Sequence, residues 1–215
     1  MNADHLRMAS GVDLTAETLD ALHVFADLVV KWTQRINLVS RGSIPDIWSR
    51  HIIDSAQLYP LSPSRARRFL DIGSGGGFPG LVLALIARQE RPGSHMLLIE
   101  SDQRKATFLR EAVRLTAAPV DVISKRAEQV PAQGAEFVTA RALAPLSDLL
   151  GYVFPHISRD GVAVLPKGTS AEVEIGIARN DWMFDLDVLP SQTDTSGRLL
   201  RITNLNRRIG SVTAT

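Results

Sequence analysis

The chain has no cysteine. Its absence excludes disulfides, thiolate zinc sites and iron–sulfur clusters, and with them cluster-based radical chemistry and any methyl transfer that relies on a cysteine nucleophile. No apolar run approaches the ~20 residues that a membrane span needs, and residues 1–10 carry no apolar signal-peptide core. A cytoplasmic protein without a membrane partner is expected. The five histidines (His5, His23, His51, His95 and His156) stand at no metal-ligand spacing, so no metal site is expected. Charge of one sign is also missing: 24 basic residues face 23 acidic ones, a net charge of +1. No global field draws this chain onto nucleic acid, and any such binding must come from a local patch. Lysine is scarce, with only Lys31, Lys105, Lys125 and Lys167 among the basic residues. The remaining cations are arginines, whose planar fork suits phosphates and base edges.

What is present centres on Arg68-Phe69-Leu70-Asp71-Ile72-Gly73-Ser74-Gly75-Gly76-Gly77-Phe78-Pro79-Gly80. An apolar strand runs into a glycine-rich turn, and a helix is expected from Pro79, a residue favoured in a first helical turn. Strand, turn and helix in this order present backbone N–H groups to a ligand above a parallel sheet. The next apolar run, Met96-Leu97-Leu98-Ile99, ends in Glu100. An acid at the tip of a second strand is placed to hold ribose hydroxyls. Two registers compete within the glycines. Gly75 to Gly80 satisfies G-x-G-x-x-G, the dinucleotide pattern of an NAD-dependent oxidoreductase. Asp71 to Gly77 matches the D-x-G-x-G-x-G turn of S-adenosylmethionine (SAM) methyltransferases.

At 215 residues and 45% hydrophobic content the chain is long enough for one compact unit. Apolar residues at three- and four-residue steps predict a long amphipathic helix over 14–38, capped by Asp13 or Thr15, and a second helix over 45–58. From residue 68 strands and helices alternate. Strands are expected near 69–72, 96–100, 120–124, 137–140, 161–166, 184–189 and 199–204. Helices are expected near 81–88, 103–115, 146–157 and 171–180. This is an α/β pattern with a largely parallel sheet covered on both faces. The last two strands lack an intervening helix and should form an antiparallel hairpin at the sheet edge. The expected division is an N-terminal helical cap, 1–64, and a cofactor-binding core, 65–215, with the last residues, 211–215, frayed.

Further blocks carry a resemblance. Trp32-Thr33-Gln34-Arg35-Ile36-Asn37-Leu38-Val39-Ser40 precedes Arg50-His51-Ile52-Ile53-Asp54-Ser55. After the glycine turn come Ile99-Glu100-Ser101, Lys105 with Phe108-Leu109, Arg126-Ala127-Glu128, Ala140-Arg141-Ala142, Pro145-Leu146 and Lys167-Gly168. In this order and spacing the chain resembles the bacterial ribosomal RNA small-subunit methyltransferase G family, from about residue 14 to residue 204. The segments 41–46 and 119–120 are less typical of it. The resemblance implies a Rossmann-like methyltransferase sheet of seven mostly parallel strands with a helical cap. It implies SAM as cofactor, 16S ribosomal RNA or a small-subunit assembly particle as partner, and methylation of guanine N7 (the family's guanine 527). Methylation of another RNA or of a small molecule is the alternative. A monomer is expected.

The candidate cofactor residues are Gly73 and Gly75 at the methionyl end, Phe78, Glu100 on the ribose, and Arg141. The resemblance adds Ala127 and Glu128 around the adenine. Asp71 is read either as a prop for the glycine loop or as a water-mediated ligand of the cofactor amine. No catalytic side chain is required. Guanine N7 is a lone-pair acceptor without a proton to lose, so alignment can carry the reaction. The segment after the fourth strand, Thr139-Ala140-Arg141-Ala142-Leu143-Ala144-Pro145, lacks the D/N-P-P-Y/F motif of many exocyclic-amine methylases. His51 and Asp54, three apart on a helix, are either an acid/base pair or a polar contact between cap and sheet. An RNA-facing patch is expected from Arg198, Arg201, Arg207 and Arg208 together with Arg35, Arg41 and Arg50.

Overall fold

The computed structural model describes residues 3–208; the expected fraying at 211–215 lies outside them. Seven strands form one sheet: β1 Arg68–Ile72, β2 His95–Ile99, β3 Val120–Ile123, β4 Ala135–Thr139, β5 Ile157–Lys167, β6 Trp182–Pro190 and β7 Arg198–Arg207. The strand order is β3-β2-β1-β4-β5-β7-β6. The first five strands are parallel, and β7 pairs antiparallel with both β5 and β6. The expected hairpin forms, with β6 at the edge and β7 inserted beside β5.

The helices are α1 Ala3–Ser10, α2 Ala16–Thr33, α3 Asp54–Ala56, α4 Gly80–Glu90, α5 Gln103–Thr116, α6 Leu146–Val153 and α7 Ala171–Asp181. Alternation along the strands builds a core on each face. Phe69, Met96, Leu98, Phe137 and Val164 turn toward α2, α4 and α5, and share one buried cluster with Phe25, Leu83 and Phe108. Leu70, Ile72, Ile99, Val138 and Leu165 turn the other way, against Leu146, Leu149 and Leu150 of α6. The central strands are therefore apolar on both faces, as buried parallel strands must be.

Three elements differ from expectation. The short α1 is additional. The helix expected over 14–38 stops at Thr33, where the N–H groups of Arg35 and Ile36 both turn back to the Trp32 carbonyl, each at 2.9 Å. Leaving the helix carries Leu38 across the glycine turn, where its carbonyl oxygen lies 3.0 Å from the place a Cβ on Gly76 would occupy. In place of a regular helix over 45–58, a π-helical turn at Trp48–Ile53 runs into α3. The α2 start is capped by Thr15, whose hydroxyl accepts the Thr18 N–H at 3.3 Å.

Candidate active site

The chain leaves β1 and β4, neighbours in the sheet, in opposite directions: β1 leads to β2, and β4 leads to β5. The crevice above two such strand ends is where open α/β sheets take ligands. Gly73 and Gly75 follow β1 there with φ of +69° and +54°, a left-handed backbone that suits residues without a Cβ. The Gly73 N–H donates to the Ile99 carbonyl at 2.8 Å. The Gly75 N–H donates to Glu100 Oε2 at 2.8 Å, and the Asp102 N–H donates to Oε1 at 2.7 Å. Glu100 is thus fixed against the glycine turn, only 7% exposed. Each of its oxygens keeps a lone pair for a further donor.

Asp71 stands beneath the glycine loop, where it is placed to act as a prop. It is fully buried, on the same strand face as Thr139, whose hydroxyl donates to its Oδ1 at 2.7 Å. Burial pushes its carboxyl up to about 6, opposed by the hydroxyls of Thr139 and Ser74, the Gly80 N–H and the Arg141 charge. A Cβ on Gly80 would stand 2.8 Å from Asp71 Oδ2 and 2.4 Å from a Leu98 methyl. The close fit of strand, acid and α4 start is therefore possible only with glycine at position 80.

Two clefts open at this edge. The first, about 250 Å³, is lined by Gly73, Ile99, Ala127, Glu128, Leu143 and Tyr152. A 3-10 turn at Ala127–Gln129, just past β3, brings Ala127 and Glu128 there. The second, about 500 Å³, is lined among others by Arg141, Leu143, Pro166, Lys167, Gly168 and Arg198. Leu143 borders both. It is 41% exposed, and its Cδ1 lies 2.8 Å from where a Cβ on Gly73 would be.

Arg141 is held from the cap. Its Nη1 donates to Asp54 Oδ2 at 3.0 Å, and its Nη2 lies 3.2 Å from His51 Nδ1. A guanidinium only donates, so Nδ1 accepts and the His51 proton sits on Nε2, which donates to Ser43 Oγ at 2.8 Å. Burial, and then the Arg141 charge, lower the His51 pKa to about 4. His51 and Asp54 therefore meet as a polar contact between cap and sheet. Phe78 lies beneath it: its ring is 5.1 Å from His51 and 5.0 Å from Phe25, with Arg141 5.6 Å over its face. At 4% exposure its side chain is outside the lining of both clefts.

The expected arginine patch does not form as one surface. Arg198 lines the second cleft. Arg201 lies three residues on, so it projects from the opposite face of the strand, where it pairs with Asp187 at 2.9 Å. Arg207 packs on the Trp182 ring at the far end of β7, nine residues or roughly 30 Å from Arg198 at ~3.3 Å per residue. Arg35, Arg41 and Arg50 are exposed on the cap. Sequence reasoning assigned no role to Leu143, Gln57, Thr193 or the ion pair of Lys167 with Glu174, 2.8 Å apart. Only Lys167-Gly168, at the end of β5, was marked by the resemblance.

Sheet order, glycine turn and strand-end acid together are those of the SAM-dependent methyltransferase class. A SAM dependent methyltransferase from Aquifex aeolicus shares the fold with TM-score 0.58 at 13% identity, over 74% of this chain and 94% of that one. A TehB-like SAM-dependent methyltransferase from Corynebacterium glutamicum does so with TM-score 0.56 at 14% identity, over 81% and 97%. Within this class the chain belongs to the rRNA small subunit methyltransferase G family, which matches residues 18–197. Proteins named ribosomal RNA small subunit methyltransferase G are 49% identical in Paramagnetospirillum magneticum, over 96% of this chain and 98% of that protein, and 48% identical in Parvibaculum lavamentivorans, over 90% and 86%. Among the described residues no group of side chains could hold a metal ion, and no helix is long and apolar enough to cross a membrane.

Proposed function

We propose that the protein transfers the methyl group of SAM to N7 of a guanine in 16S ribosomal RNA, free or within a small-subunit assembly particle. The observation that carries this reading is the pair of clefts meeting at Leu143 above β1 and β4. The first suits the adenosine: Ala127 and Glu128 flank the base and the Gly73 backbone faces the methionyl end, while Glu100, between the lining residues Ile99 and Ser101 and bonded to the Gly75 N–H, stands at its edge for the ribose. The second suits the acceptor base. The sulfonium supplies an activated methyl group that a ring nitrogen can attack in line with the departing sulfur.

The residues of the second cleft fit a nucleophile that needs no base and turns cationic as it reacts. His51 is neutral and committed to Arg141 and Ser43. Asp54 is committed to Arg141, Gln57 and Thr193. Of the three half-buried cations that line this cleft, Arg198 gives its Nη1 to the Thr195 and Gly197 carbonyls, while Arg141 and Lys167 are each neutralised by a carboxylate, Asp54 at 3.0 Å and Glu174 at 2.8 Å. Neither stands as an unbalanced charge beside a ring that gains positive charge. What the side chains contribute is approach and alignment, which can supply about 7–11 kcal/mol.

The cap, 1–64, and the cofactor core, 65–215, act as one unit in this reading, because Asp54 and His51 of the cap hold Arg141 of the core. A monomer is sufficient, since all of these residues come from one chain. The test is methylation of 16S ribosomal RNA with labelled SAM, followed by base-resolution mapping. A single N7-methylguanine is expected, and its absence on both naked RNA and assembly particles overturns the reading. The cleft assignment has its own test. A Cβ on Gly168 meets nothing within 4 Å, so Gly168→Trp should fold normally and obstruct the second cleft. It should abolish RNA methylation while S-adenosylhomocysteine binds as before. Normal methylation by a folded Gly168→Trp protein would place the acceptor elsewhere.

A further inference from the structure

The loop between β6 and β7, residues 191–197, carries no feature of the glycine turn or of the strand ends, yet it is tied into the site from the cap. Gln57 is 2% exposed. Its Oε1 accepts the Gln192 N–H at 2.7 Å, and its Nε2 donates to Asp54 Oδ1 at 2.8 Å and to Ser191 Oγ at 3.2 Å. The Thr193 hydroxyl makes a short hydrogen bond to the same Asp54 Oδ1. Asp54 Oδ2 is the oxygen that receives Arg141. One carboxylate, at the start of α3, therefore joins three separate segments: the cap, the chain just past β4 and the β6–β7 loop. Ser191, Asp194 and Gly197 of that loop line the second cleft opposite Lys167 and Gly168.

We propose that the β6–β7 loop is a working wall of the acceptor cleft, latched to the cap by Gln57, and that Thr193 is a positioning residue which sets Arg141 through Asp54. The inference rests on the second cleft being the acceptor site. Asp54 is half-buried, and without Thr193 its Oδ1 would be held by Gln57 alone, which loosens the carboxylate that receives Arg141. Hydrogen bonds to an ionised acceptor are the strong ones, and Thr193 supplies the one direct bond from the loop to Asp54, beside the ties that Gln57 makes to Ser191 and Gln192. Without it, the guanidinium above Phe78 and the wall of the cleft are coupled only indirectly, through Gln57. Arg141, expected from the sequence to bind the cofactor, lines the second cleft and not the first, so in this reading cofactor binding rests on Gly73, Gly75, Glu100, Ala127 and Glu128, which are held by other contacts.

The test is Thr193→Val, which keeps the shape of the side chain and removes the hydroxyl, and so its bond to Asp54 and its longer contacts to Gln57 and Ser191; Thr193→Ser is the conservative variant that restores it. Thr193 is half-buried at the surface, so both variants should fold, and thermal unfolding checks this. In single-turnover methylation with saturating SAM, Thr193→Val should slow the chemical step by about tenfold, the low end for loss of a hydrogen bond to a charged acceptor. Thr193→Ser should return to within about threefold of the original rate, and S-adenosylhomocysteine affinity should not change in either. Combined with Asp54→Asn, the Thr193→Val effect should largely vanish, because the two act on one contact. An unchanged rate in Thr193→Val, a rate that Thr193→Ser does not restore, or full additivity with Asp54→Asn would each overturn the proposal. Gly168→Trp separates the two ideas. If it blocks methylation while Thr193→Val does not, the cleft stands and the latch falls. If Gly168→Trp has no effect, the cleft assignment falls first and takes the latch with it.

Discussion

Gly75 donates its backbone N–H to Glu100 Oε2 at 2.8 Å, so the turn after β1 and the acid at the tip of β2 form one unit. The acid proposed to hold the ribose is also the clamp of the glycine turn. Removing the carboxylate strips two backbone N–H groups, those of Gly75 and Asp102, of their partner as well.

Glu100→Ala should therefore weaken S-adenosylhomocysteine binding by more than a lost ligand contact alone. Hydrogen bonds to a charged group are worth about 1.5–3 kcal/mol each, so at least a tenfold loss of affinity is expected by calorimetry. Glu100→Gln, which keeps an acceptor oxygen for one of the two N–H groups, should lie between Ala and the original. Equal affinity in all three proteins would move the ribose site away from Glu100.

His51 is held neutral, with a pKa of about 4. Its charge change therefore lies well below the range in which a neutral-pH base would act. His51→Ala should slow single-turnover methylation by less than the ~100- to 10,000-fold typical of a general base, and the pH profile between 6 and 8 should keep its shape. The depressed pKa also carries a stability sign. Between about 4 and the ordinary 6.5 the unfolded chain binds a proton at His51 that the folded one refuses. This contribution is present above 6.5 and is lost as pH falls toward 4.

Asp71 works in the opposite direction. Its folded pKa of about 6 lies above the ordinary 3.8, so the folded chain holds a proton that the unfolded one has released. The Asp71 contribution to stability is fully present below 3.8 and is lost as pH rises through 6. The melting temperature of the original protein, taken relative to Asp71→Asn, should fall across pH 4 to 6 and stay level above it. A difference that is flat over that window would show that Asp71 does not titrate there.

Gly80 and Gly168 should respond in opposite ways to the same methyl group. At position 80 the new Cβ would meet a Leu98 methyl at 2.4 Å and the Asp71 side chain at 2.8 Å, whereas at 168 it meets nothing within 4 Å. Overpacking of this kind costs about 1–3 kcal/mol. Denaturant titration should show that loss for Gly80→Ala and no loss for Gly168→Ala.

RNA affinity should depend on salt through cations close to the second cleft. Arg198 lines it. Arg50 lies near enough to Asp194, on the opposite wall, to join the Ser196 hydroxyl and N–H, the main cause, in lowering that carboxyl. Arg50→Gln with Arg198→Gln should flatten the slope of log affinity against log salt by about 0.7–0.9 per lost phosphate contact. Arg207→Gln, at the other end of β7, should leave the slope unchanged. The reverse pattern would place the RNA on the face of the hairpin.

Much of this protein was readable along the chain because its signals are local. Each of the seven strands lies within a few residues of its expected place, since buried parallel strands are short apolar runs bounded by turn residues. The glycine turn and Glu100 follow directly from strand ends and stand where those ends led, whereas Ala127 and Glu128, marked only by the resemblance, lie in a short turn past β3. Less legible were elements whose shape answers to distant partners. No periodicity marks the end of α2 at Thr33, because the chain leaves the helix to lay Leu38 on Gly76. Nor does any local pattern announce the π-helical turn, which brings His51 and Asp54 together on Arg141. The eight residues of α1 are too few to separate a helical repeat from chance, and only packing of Leu6 and Ala9 into the core makes the segment visible.

The arginines show the same division. Their types and positions are properties of the sequence, but whether two of them share a surface depends on strand length and direction. Nine residues along β7, roughly 30 Å at ~3.3 Å per residue, separate Arg198 from Arg207, and the pleat turns Arg201 away from Arg198. By itself the chain determined its class, its strand-end chemistry and its cofactor turn, because each is a pattern of neighbours within about thirty residues, the span of one strand–helix–strand unit. Only tertiary structure decided that Asp54, Gln57, Arg141 and Thr193 meet around one carboxylate, because hydrogen bonds between residues 87 and 139 positions apart leave no periodic trace in the sequence.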